Sequence, residues 1–375
     1  MKTITFLLMY YKPENHTINY VYNPIIDEYL KNGYRVNIVV PNPTRGLSRA
    51  KIKEYRKKTE EKIKDKLFLY RVNCFTYRKY NKLNLLLRYL SVSNKCAKKL
   101  RKIHSDIVFL QTSPPIFYAY KASKIAKRKG VSIIYNVQDI YPDNIFKENR
   151  LLYKIINHYQ KKTLNNADVI STLSQDMKKT LLKKGNFENK IKIIPNPITY
   201  KVKEYSEQQL KETANNYGFK KDKINVVYAG NMGYLQDIDV IISAAKKVLE
   251  KTNKYNFIFI GEGAQKERLK NEINDLKNEN INIYTMAPME VSPYIYKLAD
   301  FNVISLLPNV IYTACPLKTA MIIEANKNVI ACVDEESTYI KELKEKVNDL
   351  IVIPNRDAEK LAKELLQRLN KNEKK

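Results

Sequence analysis

Three observations predict that this chain is an α/β enzyme built from two parallel-sheet domains. Short β-branched apolar runs alternate with stretches of helical periodicity, the pattern of repeated βαβ units. The series is interrupted once, by a polar stretch over residues 199–223, and then restarts. The length, 375 residues, exceeds what one hydrophobic core usually serves. The expected layout is an N-terminal domain over 1–198, a linker and lead-in over 199–223, a second domain over 224–356, and a C-terminal helix and tail over 357–375, free to pack back toward the first domain. Two such domains facing across a cleft would place ligands at the carboxyl ends of their strands.

In the first half, strands are expected at 4–9, 35–40, 67–72, 106–110, 132–136, 169–172 and 191–194. Helices fit near 20–31, ending at Asn32-Gly33, near 117–129, ending at Gly130, and near 150–165. The opening apolar run is too short for a signal-peptide core and is read as the first strand. Pro195-Asn196-Pro197 stops the last strand. The second half supplies strands at 224–229, 257–260, 281–284, 301–306, 329–332 and 350–353. Helices lie between them near 239–252, 266–278, 291–298, 317–326 and 338–346, with a last one near 357–369.

Composition narrows the function class. No run reaches the roughly 18–20 apolar residues that span a bilayer, so a cytoplasmic protein is expected. Four cysteines, Cys74, Cys96, Cys315 and Cys332, and three histidines show no metal-ligand spacing. The net charge is +28, from 67 basic and 39 acidic residues. Between Arg45 and Lys102 there are 20 basic residues and 4 acidic ones, interleaved with aromatics such as Tyr55, Phe68, Tyr70, Phe75, Tyr77, Tyr80 and Tyr89. Three readings compete for this segment: a merely solvated basic face, an anionic membrane surface, and nucleic acid. No zinc-finger, helix-turn-helix or RNA-binding motif accompanies it. Residues 83–90, Leu-Asn-Leu-Leu-Leu-Arg-Tyr-Leu, flanked by Lys79, Lys82, Lys95, Lys98 and Lys99, look like part of a basic amphipathic helix.

Candidate ligand groups cluster at strand exits. Tyr228-Ala229 runs into Gly230-Asn231-Met232-Gly233, a glycine-bounded turn before a helix whose free N–H groups could hold a diphosphate. A capped turn with no ligand explains the same residues. Gly261-Glu262-Gly263 follows the next strand and should open on the same crevice. Lys318, after Pro316-Leu317 at a helix start, opposes the helix dipole, a placement an anion would relieve. In the first half, Thr112-Ser113-Pro114-Pro115 and Gln138-Asp139-Ile140-Tyr141-Pro142-Asp143 leave neighbouring strands. Asp139 could contact a sugar or cap the next turn. Neither a serine-histidine-acid set nor paired helical glutamates are present, so a hydrolase has no apparatus.

Taken together, Gln111-Thr112-Ser113-Pro114-Pro115, Val137 to Asp143, Ile194-Pro195-Asn196-Pro197, Tyr228 to Gly233, Gly261-Glu262-Gly263 and Pro316-Leu317-Lys318 resemble the retaining GT-B glycosyltransferases of family 4. Nearest is the subgroup of colanic-acid-type and L-fucosamine transferases of O-antigen and capsule synthesis. The resemblance implies two Rossmann-like domains, with the C-terminal one holding a UDP-sugar and the N-terminal one the acceptor. It implies that Lys318 binds the diphosphate, that Gly230, Asn231, Met232, Gly233 and Gln236 lie beneath the phosphates, and that Gly261, Glu262 and Gly263 lie near the nucleoside. Pro316 and Leu317 complete the donor wall. Asp139 and Gln138 stand near the donor sugar and acceptor. No metal and no cofactor are implied beyond the donor substrate.

The chain departs from the family at several positions. Asn231 and Gln236 replace the common loop's arginine and lysine, which narrows the donor to an N-acetylated hexosamine or a deoxyhexosamine. The positions of the family's paired glutamates fall on Ala314 and Met321, with Glu324 the nearest carboxylate beyond them. Asn15-His16-Thr17 stands where paired glycines are common. The expected activity is metal-independent transfer, with retention, to a polyprenyl-diphosphate-linked sugar or a polysaccharide precursor, at the inner face of the cell membrane. The alternatives are a catalytically silent scaffold or UDP-sugar-binding subunit, and an epimerase-like enzyme.

Overall fold

The computed structural model describes the chain except residues 15–16, 45–46, 77–80, 113–115, 144–149, 199, 326–327 and 373–375. The expectations for Asn15-His16, for Ser113-Pro114-Pro115, and for Arg45, Tyr77, Lys79 and Tyr80 therefore lie outside the described residues. The chain divides into two compact units, Met1–Pro197 with Thr313–Cys315, and Ile198–Tyr312 with Pro316–Lys375.

The first unit runs β1 (Thr3–Leu7), α1 (Ile18–Lys31), β2 (Arg35–Pro41), α2 (Arg49–Lys57), β3 (Glu60–Lys64), β4 (Leu67–Val72), α3 (Lys82–Lys102), β5 (Ile107–Gln111), α4 (Ile116–Arg128), β6 (Ser132–Val137), α5 (Arg150–Asn166), β7 (Val169–Thr172), α6 (Gln175–Leu182) and β8 (Ile191–Ile193). Its sheet has the order β3-β4-β2-β1-β5-β6-β7-β8 and is parallel except for the antiparallel β3–β4 pair. Strands enclosed on both faces read as continuous apolar runs, which is why β1 and β5 were legible. The strand β3 was not expected. Its sequence Glu-Glu-Lys-Ile-Lys has no buried residue, because it pairs by backbone alone at the sheet edge. Its charges also keep that edge from pairing with another chain.

The second unit runs α7 (Glu207–Asn216), β9 (Ile224–Asn231), α8 (Ile238–Leu249), β10 (Tyr255–Glu262), α9 (Lys266–Asp275), β11 (Ile281–Tyr284), α10 (Ser292–Leu298), β12 (Phe301–Ser305), α11 (Thr319–Glu324), β13 (Asn328–Cys332), α12 (Thr338–Lys344), β14 (Leu350–Ile353) and α13 (Ala358–Asn372). Its parallel sheet has the order β11-β10-β9-β12-β13-β14. The helix α7 lies inside the stretch expected as linker. Ser206 caps it, accepting from the Gln209 N–H at 3.5 Å, and the Ser-x-x-Gln spacing that signals such a cap is present in the sequence. The helix α13 packs on α8, and Leu361, Ala362 and Leu365 belong to the second core. Its apolar face is thus covered within its own unit. Among the described residues no helix is long and apolar enough to cross a membrane.

Both units are the doubly wound α/β kind. In the second, β9 has β10 on one side and β12 on the other, so the chain reverses its direction of winding there. A crevice opens at the carboxyl ends of strands at such a switch point.

Candidate functional site

The second unit assembles its candidate residues at this switch point. β9 and β10 pair in register through Gly261↔Gly230 and Glu262↔Asn231, so the two glycine-bearing exits leave side by side. Gly230 has φ +147°, a conformation L side chains rarely adopt. A methyl group on Gly261 would overlap the Gly230 carbonyl oxygen, and one on Gly263 would overlap the Met232 backbone. These glycines are required by the close approach of two loops. Met232 is fully buried beneath them; its N–H donates to the Glu262 carbonyl at 2.8 Å, and its carbonyl accepts from the Gln265 N–H at 3.0 Å. Asn231 is exposed, while Glu262 pairs with Lys266 at 2.5 Å on the solvent side.

Lys318 immediately precedes α11, and its side chain lies along Gly230. A methyl group there would stand 3.7 Å from Lys318 Cδ and 3.9 Å from Nζ. The ammonium donates to the Val303 carbonyl at 2.9 Å and sits 3.9 Å from the centre of the Tyr228 ring. Both partners are buried, although Lys318 as a residue keeps some exposed surface. Burial pushes its pKa down to about 7, with the Cys332 sulfur opposing slightly. A half-neutralised lysine behind an open glycine face is poised to gain its proton when an anion arrives. The Tyr228 hydroxyl donates to the Asn231 carbonyl at 2.6 Å and lies 3.2 Å from Gln236 Oε1, so Gln236 braces the turn from below.

Glu324 stands apart from this group. It ends α11, about 9 Å along the helix from Lys318, and pairs with Lys201 at 2.7 Å. Neither Ala314 nor Met321, where paired glutamates would be expected, carries a carboxylate. Met321 is buried, and Ala314 forms an isolated antiparallel bridge with Asp139 inside the first unit. There the Ile140 N–H also donates to the Thr313 carbonyl at 2.8 Å.

The motifs of the first unit interlock. Thr112 Oγ1 accepts from the backbone N–H of Gln138 at 2.8 Å and of Asp139 at 3.1 Å. The Gln138 and Asn196 amides exchange two hydrogen bonds, at 2.9 and 2.8 Å, and Gln138 Nε2 also donates to Asn136 Oδ1 at 2.8 Å. Gln138 therefore joins the strand exit at β6 to the Pro195-Asn196-Pro197 turn. Burial raises the Asp139 carboxyl to about 6, and the carboxylate in turn helps raise the phenol of buried Tyr22. Beyond this loop, Lys184 pairs with Asp143 at 2.5 Å and donates to Asn157 at 2.7 Å, fixing the segment to α5.

Sequence reasoning missed Tyr228 and Val303. Tyr228 had a usable signal, because residues two apart on a strand share a face and Gly230 was already a candidate. The Val303 carbonyl had none, since only the pairing of β12 with β9 brings it there. Among the described residues no group of three or more His, Cys, Asp and Glu side chains converges as metal ligands would.

Residues 20–201 match the family described as Glycosyltransferase Family 4, and residues 210–375 match Glycosyl transferases group 1. A stretch of 225 residues is 20% identical to WcaI of Escherichia coli (strain K12), named for colanic acid biosynthesis, covering 58% of this chain and 55% of that protein. An uncharacterized glycosyltransferase of Methanocaldococcus jannaschii, MJ1059, is 26% identical over 265 residues, 67% of this chain and 63% of its own length. The matched stretches thus span less than two thirds of either relative. Among solved structures, sucrose-phosphate synthase from Thermosynechococcus elongatus superposes with TM-score 0.74 at 12% identity, over 99% of this chain and 90% of that one. Anabaena Alr3699/HepE in complex with UDP and glucose gives 0.69 at 13% identity, over 100% and 91%. A UDP-N-acetylglucosamine 2-epimerase from Listeria monocytogenes gives 0.63 at 12% identity, over 99% and 89%. With two sheets in two α/β units on the GT-B fold, this chain is homologous to the glycosyltransferases of family 4 over its first half and to those of group 1 over its second.

Proposed function

We propose that the chain transfers a sugar, with retention, from a UDP-sugar to a lipid-linked or polysaccharide precursor of a cell-surface glycan. The observation that carries this is the desolvated Lys318 ammonium lying against Gly230 at the switch point of the second sheet. A diphosphate seated on the open face of Gly230 would meet that ammonium. As the sugar–phosphate bond breaks, charge gathers on the departing diphosphate, and a preorganised cation in a water-poor pocket stabilises it most at that moment. The complex of a GT-B neighbour with UDP and glucose supports the ligand class.

In this reading Gly230, Asn231, Met232 and Gly233, braced by Gln236, floor the phosphate site. Gly261, Glu262 and Gly263 border the nucleoside, and Pro316 and Leu317 set the approach of Lys318. Glu324 is assigned to the rim, held by Lys201. Asp139 is assigned to the sugar and acceptor, and Gln138 is a positioning residue because its amide is engaged by Asn196 and Asn136. Asn231 in place of arginine favours an N-acetylated hexosamine or deoxyhexosamine donor. The name of WcaI supports a surface-polysaccharide product, and the basic segment 45–102 an anionic membrane surface at which a lipid-linked acceptor resides.

A panel of UDP-sugars assayed with a polyprenyl-diphosphate-linked acceptor, with product stereochemistry read by NMR, tests this directly. An inverted anomeric centre would overturn retention. Titration with UDP separates an enzyme from a silent scaffold: absence of binding would remove the donor site altogether.

A further inference from the structure

The helices α3, α4 and α5 lie side by side on one face of the first sheet, α4 packing against both neighbours. Each connects parallel strands by a crossover in the same direction, so all three start at the carboxyl ends of the strands. Together they carry fifteen basic residues and no acidic one. An ordinary solvated surface intersperses both signs, and three consecutive helices of a single sign need a reason.

Apolar exposure on α3 and α5 is confined to their first halves. On α3 the outward positions are Leu83, Leu86, Leu87 and Leu90, spaced as one stripe, and Leu83 is 64% exposed. The same face then changes abruptly to Asn94, Lys95 and Lys98, all exposed. The start of α5 repeats the arrangement, with Leu151 at 71% exposure and Ile155 outward before the exposed Lys162. Between them α4 exposes Lys124, Lys127 and Arg128 farther along. Lys98 follows Leu90 by about 12 Å of helix, a spacing that sets cations at headgroup level when the leucines enter the acyl boundary.

The other half of the basic segment lacks these features. Around α2 and β3, Lys58 pairs with Glu54, Lys62 with Asp65, and Lys64 with Asp27. No residue of α2 is buried, and no leucine stripe accompanies it.

We infer that the leucine-tipped, lysine-backed ends of α3 and α5, with α4 between them, form a docking face for an anionic lipid bilayer. This deepens the membrane part of the reading above and does not depend on the transferase part. A nucleic acid would use the same charge but has no use for two clusters of exposed aliphatic side chains.

The test uses the full chain and sedimentation with vesicles of phosphatidylcholine alone or mixed with phosphatidylglycerol. Binding is expected to be much stronger with the anionic lipid than with phosphatidylcholine alone, and part of it should persist in high salt, because the leucines do not depend on charge. Leu83→Ser with Leu87→Ser, and separately Leu151→Ser with Ile155→Ser, should each weaken vesicle binding about tenfold or more. Lys246→Ser with Lys270→Ser, exposed on the second unit, should leave it within about twofold. Leucine variants that bind vesicles like the parent would overturn the proposal. So would binding to single-stranded RNA that is stronger than to anionic vesicles and indifferent to the leucine variants. UDP titration of the same samples keeps the two readings apart: vesicle binding without UDP binding sustains the docking face and removes the transferase, and the converse removes only the face.

Discussion

Replacing Lys318 by methionine should make the second unit more stable while abolishing its ligand binding. Methionine keeps the unbranched stem that lies along Gly230 and deletes the ammonium. In the folded chain that ammonium has a pKa of about 7, against about 10.4 for a lysine in the unfolded chain. At pH 6 the protein therefore holds a proton in a place that disfavours it by about 4–5 kcal/mol. The variant loses the hydrogen bond to Val303, worth about 1 kcal/mol, so its net gain at pH 6 is about 3 kcal/mol. The sign follows from a depressed folded pKa. Between pH 7 and 10.4 the unfolded state binds more protons, so the parent gains stability as pH rises and loses it as pH falls through 7. Near pH 10.5 the amine is neutral in both states, and the advantage should vanish or reverse by about 1 kcal/mol. Urea titrations of both proteins from pH 6 to 10.5 read this as a shift in midpoint of about 1 M that shrinks with pH. A difference that stays constant over that range would refute the buried-ammonium account.

Three further outcomes follow from the same geometry. At pH 8 UDP binding should draw in close to one proton, because only about one tenth of Lys318 is charged beforehand; calorimetry in buffers of different ionisation enthalpy measures it, and zero uptake removes Lys318 from the phosphate site. Gly261→Ala should destabilise the second unit by at least about 2–4 kcal/mol, since the added methyl meets a backbone carbonyl that cannot step aside; a melting temperature unchanged from the parent would contradict the loop contact. Asp139→Asn should stop transfer yet stabilise the first unit by about 2–3 kcal/mol at pH 8. Its carboxyl, raised to about 6, contributes stability below pH 3.9 that is lost as pH rises through 6, so thermal melts of parent and variant should converge near pH 4.

Lys318 and Asp139 share a property that explains these signs. Each is a charge held where water is scarce, which weakens the fold and strengthens the interaction with an opposite or developing charge. The interlocked Thr112, Gln138 and Asn196 and the packed glycines supply the rigidity that keeps such groups in place.

The sequence by itself determined the alternation of strands and helices, the break near residue 198, and which strand exits carry glycine or proline. These are local properties: apolar period, β-branching, and glycine or proline at strand exits. It could not reveal β3, which pairs through backbone with no apolar pattern, and α7 was passed over although Ser206 and Gln209 announced it. Tertiary structure alone decided the surroundings of the candidate residues. Gly261 proves to be required by the Gly230 carbonyl beside it, a contact set by the register of β9 with β10. Lys318 is desolvated because β12, next to β9 in the sheet, presents a carbonyl and Tyr228 presents its ring. Glu324 pairs with Lys201. Burial and electrostatics depend on which distant segments pack together, and that information is not carried by any one stretch of chain.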